Sequence, residues 1–147
     1  MQLNIFMRIF ALERIITVKG KEPFDKLIVD GVSLIDDFED NLEEQYESEM
    51  DAIHAYMDKV SNQESLPYNK FHPLNPGQKG TKEYEFKTKH LRVYGIQQPG
   101  GKIIIMGGYK NEQKKDIVQF RSIKNEYLDS ISKANKQKVK PIKSEKK

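Results

Sequence analysis

The spacing of apolar residues changes period several times along the chain, and each change predicts an element. Leu3, Ile5, Met7 and Ile9 alternate with Asn4, Phe6, Arg8 and Phe10. That period of two predicts a strand over Leu3–Leu12, with both faces partly covered because Phe6 and Phe10 fall on the second parity. Ile15, Ile16 and Val18 keep the β-branched character up to Gly20. Pro23 suits the first position of a short helix carrying Phe24, Leu27 and Ile28, closed by Asp30-Gly31.

Ser33 is placed as a helix N-cap, followed by Asp36, Asp37, Glu39 and Asp40, which favour the start of a helix. Phe38, Leu42, Tyr46, Met50, Ile53, Met57 and Val60 then recur at spacings of three and four. They predict one long amphipathic helix over 34–60 with an acidic outer face, which is either simply solvated or a docking surface for a basic partner. Residues 61–82 are proline-rich and read as a loop, pinned by Tyr68, Phe71 and Leu74.

Three strands follow, Tyr84–Thr88, Leu91–Gln97 and Lys102–Gly107, joined by turns at Lys89-His90 and Pro99-Gly100-Gly101. The uninterrupted apolar run Ile103–Met106 marks the third as a central strand, buried on both faces. A last helix begins near Glu112 or Gln113, with Ile117, Phe120, Ile123, Tyr127 and Ile131 as its apolar stripe. The predicted fold class is α+β: a small, mostly antiparallel four-stranded sheet packed by the long helix, in strand-helix-helix-strand-strand-strand-helix order. A single domain spans 1–132, and 133–147 is a lysine-rich segment expected to be a disordered tail.

Composition narrows the chemistry. With no cysteine among 147 residues there is no disulfide framework and no thiolate. No apolar run approaches the length of a membrane span, and Arg8, Glu13 and Arg14 interrupt the first one before a signal-peptide core forms. A cytoplasmic protein without membrane association is expected. Charge is divided unevenly: residues 1–78 hold seven Lys and Arg against fifteen Asp and Glu, whereas residues 79–147 hold eighteen against seven. The second half is therefore suited to a polyanion. His54, His72 and His90 are too scattered to propose a metal site, and no phosphate-binding glycine loop is present, so neither metal nor cofactor is expected. His54 sits beside the core stripe; Tyr127 is either a core residue or a base-stacking one.

The tract Tyr84-Glu85-Phe86-Lys87-Thr88-Lys89-His90-Leu91-Arg92-Val93-Tyr94, followed by Gly107-Gly108-Tyr109-Lys110-Asn111-Glu112-Gln113-Lys114-Lys115, resembles the corresponding stretch of the RelE/ParE superfamily of bacterial toxins. The likeness is to the HigB-like branch, and covers about 45 residues, from Tyr84 to Leu128. The first 80 residues have no counterpart in it. This resemblance implies a type II toxin–antitoxin module: a messenger-RNA endonuclease, associated with the ribosome or free, held inactive by a cognate antitoxin. It implies catalytic roles for Arg92, Lys110 and Lys114, with Arg92 on an exposed strand position contacting phosphate; His90, the one histidine in the matched stretch, is either a solvated turn residue or the catalytic base. Lys87, Gln113 and Lys115 are implied RNA contacts, and Lys89 and Arg121 are further candidate contacts in the basic half of the chain. Lys87 stands where the branch has arginine, and Asn111 replaces a lysine. Metal-free cleavage by such residues is chemically reasonable, since cationic groups stabilise a phosphorane-like transition state and a histidine moves protons. Two alternatives remain: a non-catalytic toxin-fold protein that acts on a protein target such as gyrase, and a nucleic-acid-binding or partner-binding module of another kind. A third reading has the acidic helix shield the basic half of its own chain.

Overall fold

The computed structural model describes residues 7–145, and side chains as far as residue 135. The predicted strand positions Leu3 and Ile5 lie outside the described residues. The architecture is α+β, with three α-helices and a mostly antiparallel open sheet of seven strands.

β1 (Phe10–Arg14) and β2 (Phe24–Val29) form an antiparallel pair, and β2 turns through Asp30-Gly31 into the two-residue strand β3 (Val32–Ser33). The expected short helix over Phe24–Ile28 is thus a strand. The turn explains why: Asp30 and Gly31 both have positive φ, 50° and 82°, the backbone of a two-residue hairpin loop rather than of a helix end. Phe24, Leu27 and Val29 are all buried, and the first half of β2 also pairs in parallel with β7 (Gly101–Tyr109).

Ser33 caps α1 (Leu34–Asp40), its hydroxyl accepting a 3.2 Å bond from the Asp36 N–H. The expected single helix over 34–60 is broken, however. α1 stops at Asn41, a 3₁₀ turn spans Glu44–Tyr46, and α2 (Glu47–Ser61) follows. Asn41 ends α1 by folding its side-chain amide onto the Asp37 carbonyl at 2.8 Å. The break also suits the charges, because it turns Glu47 and Glu49 into first-turn residues of a new helix, where the dipole favours them. The apolar stripe survives the break: Phe38, Leu42, Tyr46, Met50, Ile53, Met57 and Val60 all pack into one core cluster.

The proline-rich stretch contributes a strand, β4 (Phe71–Pro73), ahead of β5 (Glu83–Lys87) and β6 (Leu91–Gln98). Sheet order is β1-β2-β7-β6-β5-β4, so the apolar run of β7 is central, as its composition predicts. The expectation of four strands covered on one face is corrected to seven strands covered on both. Alternation splits β7 between two cores: Ile104 joins Phe24, Phe86, Val93 and α2, while Ile103 and Ile105 join Leu27, Tyr94 and the last helix. α3 runs Gln113–Glu145 and carries Phe120, Ile123 and Tyr127 into the second core. The helix extends beyond Ser132 into the lysine-rich segment, as far as Glu145. Gly107 and Gly108 let helices approach β7 from both sides, since an added Cβ would lie 2.6 Å from the Phe38 ring and 1.9 Å from the Asp116 carboxylate. Among the described residues no helix is long and apolar enough to cross a membrane.

Candidate functional site

The β5–β6 turn organises the site. Lys87 closes β5 and Arg92 is the second residue of β6, and the two are cross-strand partners. Thr88, Lys89 and His90 form the connection, closed by Thr88 N–H bonding to the Leu91 carbonyl at 3.1 Å. Arg92 is not the exposed strand arginine expected. It is 6% exposed and curls back under the turn, where Nη1 donates to the carbonyls of Thr88 (2.6 Å) and Leu91 (2.7 Å). Its buried Nε has no partner. No carboxylate among the described residues forms an ion pair with it, and Glu85, two positions along β5 from its cross-strand partner Lys87, is engaged by His72 and Gln113.

An open cavity of about 560 Å³ lies between this turn and the start of α2. Lys70, Lys87, Lys89, Arg92 and Lys110 line it, against one carboxylate, Glu49. Lys70 arrives because the Lys87 N–H extends the β4–β5 ladder to the Lys70 carbonyl at 2.9 Å. Its ammonium lies 5.4 Å from the centre of the Tyr56 ring, and that of Lys87 lies 5.8 Å from Tyr68.

Glu49, near the start of α2, fastens the turn. Its carboxylate accepts from the Thr88 hydroxyl (2.5 Å) and from the His90 backbone N–H (2.9 Å), and faces His90 Nδ1 at 2.7 Å. Burial alone raises the pKa of the Glu49 carboxyl, but these bonds outweigh it and hold the group below its ordinary value. The His90 ring also packs on Tyr46, with centroids 4.9 Å apart. On the far side of Lys110 lies a second cavity, of about 500 Å³, walled by Glu43, Tyr46, His90, Tyr109, Lys110 and Glu112.

The remaining nominated residues are dispersed. Lys114 is exposed and lines neither cavity. Lys115 is exposed and lies 3.4 Å from Glu112. Arg121 is committed to Glu83, whose carboxyl is held below its ordinary pKa by Arg121 and Lys124 despite its burial. Gln113 donates to Glu85 and so belongs to a buried polar group with His72, Tyr94 and Asp116. There the Tyr94 hydroxyl is unpartnered, and burial, followed by the nearby Glu85 and Asp116, pushes its pKa upward. Burial likewise raises the Asp116 carboxyl. His54 pairs with Glu39 at 2.6 Å, and Tyr127 is a core residue packed edge-on against Phe10. Among the described residues no group of three or more His, Asp or Glu is placed to hold a metal ion.

Glu49 and Lys70 are site residues that the sequence did not mark. Glu49 sits beside the stripe residue Met50, among many acidic neighbours, and Lys70 lies in an irregular stretch; neither has a local pattern that distinguishes it. Comparison of the chain with protein families, with curated proteins and with solved structures finds no match.

Proposed function

We propose that the protein binds RNA through its phosphates at the Lys87–Arg92 cavity and cleaves it as a toxin-type messenger-RNA endonuclease. One observation carries the proposal: five cationic side chains from three separate stretches converge around a single carboxylate, and one of them, Arg92, is buried without a counter-ion. An uncompensated buried cation is costly, and a bound phosphate offsets that cost.

In this reading the 2′-hydroxyl of one nucleotide attacks the adjacent phosphorus. The P–O5′ bond breaks, leaving a 2′,3′-cyclic phosphate and a 5′-hydroxyl end. His90, which borders the adjoining second cavity, takes the 2′-hydroxyl proton where the two cavities meet. Glu49 meets Nδ1 of that ring, which leaves Nε2 for the transfer and stabilises the imidazolium that forms. Arg92 and Lys87 stabilise charge on the phosphoryl oxygens, and the Lys110 ammonium protonates the departing 5′-oxygen. A cognate antitoxin would cover the cavity with acidic side chains. A small neighbouring reading frame for a DNA-binding protein supports that partner, and its absence argues for an unpaired protein.

A gel assay of messenger-RNA cleavage, with and without ribosomes, tests the activity. Cutting that His90→Ala abolishes supports the endonuclease. Tight RNA binding with no cutting supports the non-catalytic alternative, which is favoured by the position of Lys114 outside both cavities and by the engagement of Arg121 with Glu83.

A further inference from the structure

We infer that the second cavity is a nucleobase subsite selective for guanine, with Tyr46 and Tyr109 as its aromatic wall and Glu43 reading the base edge. The inference rests on the RNA reading of the neighbouring basic cavity. Lys110 lines both cavities, and its backbone N–H is tied to the His90 carbonyl at 2.8 Å, so a nucleotide with its phosphate in one has its base at the mouth of the other.

The two cavities differ in chemistry in the way a nucleotide does. The first presents five cations to one carboxylate. The second has two carboxylates, Glu43 and Glu112, and its rings are in mutual contact: Tyr46 lies 4.9 Å from His90 and 5.5 Å from Tyr109. A phosphate is repelled there, whereas a flat base is accepted by the rings; stacking of this kind is tolerant of base identity. Discrimination must come from the polar groups. The Glu43 backbone N–H donates to the Tyr109 hydroxyl at 3.4 Å, which anchors it at the aromatic wall, and its carboxylate has no partner among the described residues. A carboxylate only accepts hydrogen bonds. Guanine alone among the four bases places two donors side by side, N1–H and N2–H, and matches both carboxylate oxygens at once.

The test is calorimetric titration of the full chain with the four nucleoside 3′-monophosphates. Guanosine 3′-monophosphate is expected to bind about tenfold more tightly than the other three, the discrimination of a good bidentate contact. Glu43→Gln should remove that preference, bringing guanosine 3′-monophosphate level with the other three nucleotides. Tyr46→Leu, which keeps an apolar group against the core, should weaken all four. Equal binding of the four nucleotides, no binding of any, or an unaltered preference in Glu43→Gln overturns the inference. Guanine preference without RNA cleavage removes the endonuclease and keeps the subsite; RNA cleavage with indifferent nucleotide binding does the reverse.

Discussion

Glu49 and His90, 41 positions apart, are joined twice: the Glu49 carboxylate accepts the His90 backbone N–H at 2.9 Å and faces the ring Nδ1 at 2.7 Å. One acidic side chain from α2 thereby fixes both the path of the β5–β6 turn and the orientation of its histidine. Glu49→Gln keeps the size of the side chain but weakens each bond. It is expected to cost about 1–2 kcal/mol in denaturant unfolding at pH 7. The Glu49 carboxyl is held below its ordinary 4.5, so its contribution is complete above that value and disappears as the pH falls through the lowered folded-state pKa. Wild type and variant should therefore converge in stability at low pH, and a constant difference down to pH 2 would contradict the assignment.

Arg92 is buried rather than exposed, so replacing it has structural consequences apart from the proposed RNA contact. Arg92→Ala removes two hydrogen bonds to carbonyls and opens a void, for a loss of about 1–3 kcal/mol. Arg92→Lys retains the charge but not the planar fork, and should lose RNA affinity more than stability. Melting curves and RNA titrations on both variants separate these effects; an Arg92→Lys protein that binds RNA like wild type would remove Arg92 from the binding site.

Lys87 and Lys110 line the basic cavity, and Lys114 does not. Plots of log affinity against log salt for a single-stranded RNA should lose about 0.7 in slope for each of Lys87→Ala and Lys110→Ala. Lys114→Ala should leave the slope near its wild-type value. Three equal slopes would shift the binding surface away from the cavity.

Asp116 is 7% exposed beneath Gly108, and burial raises its carboxyl pKa above the ordinary 3.8. The native state then holds this proton more tightly than the unfolded chain, so stability falls as the pH rises from 3.8 through the folded-state value. Asp116→Asn is expected to be more stable than wild type at pH 7 and indistinguishable from it at pH 3. Chemical denaturation at the two pH values checks this, and a less stable variant at pH 7 would show that the carboxylate is needed there.

The parts of the fold that depend on local periodicity were readable from the residues themselves. β5, β6, β7 and the start of α3 fall where alternation, turn residues and the apolar stripe place them. The failures have a common cause. The 38–60 stripe has the same period in one helix or two, so it reports which residues are buried but not the break at Asn41. Phe24, Leu27 and Ile28 suit either a helix or a strand, and only the parallel partner in β7 decides between them. The candidate site was half legible: Lys87, Lys89, Arg92 and Lys110 meet at one cavity, whereas Glu49 and Lys70 reach it by tertiary contacts that no local pattern encodes.

The parallel pairing of β2 with β7 has a consequence for how the chain acquires its shape. Phe24 lies opposite Lys102, 78 positions later, whereas β4 through β7 connect neighbour to neighbour. Closing so long a loop is entropically costly, and such contacts slow folding. During synthesis β2 must wait without its central partner until most of the chain has emerged. The meander from β4 to β7 is then expected to order first and serve as the template on which the N-terminal hairpin is captured. The slowest step in refolding should be the arrival of β2, and mutations in the β2–β7 seam should change the folding rate more than those at the β4 edge.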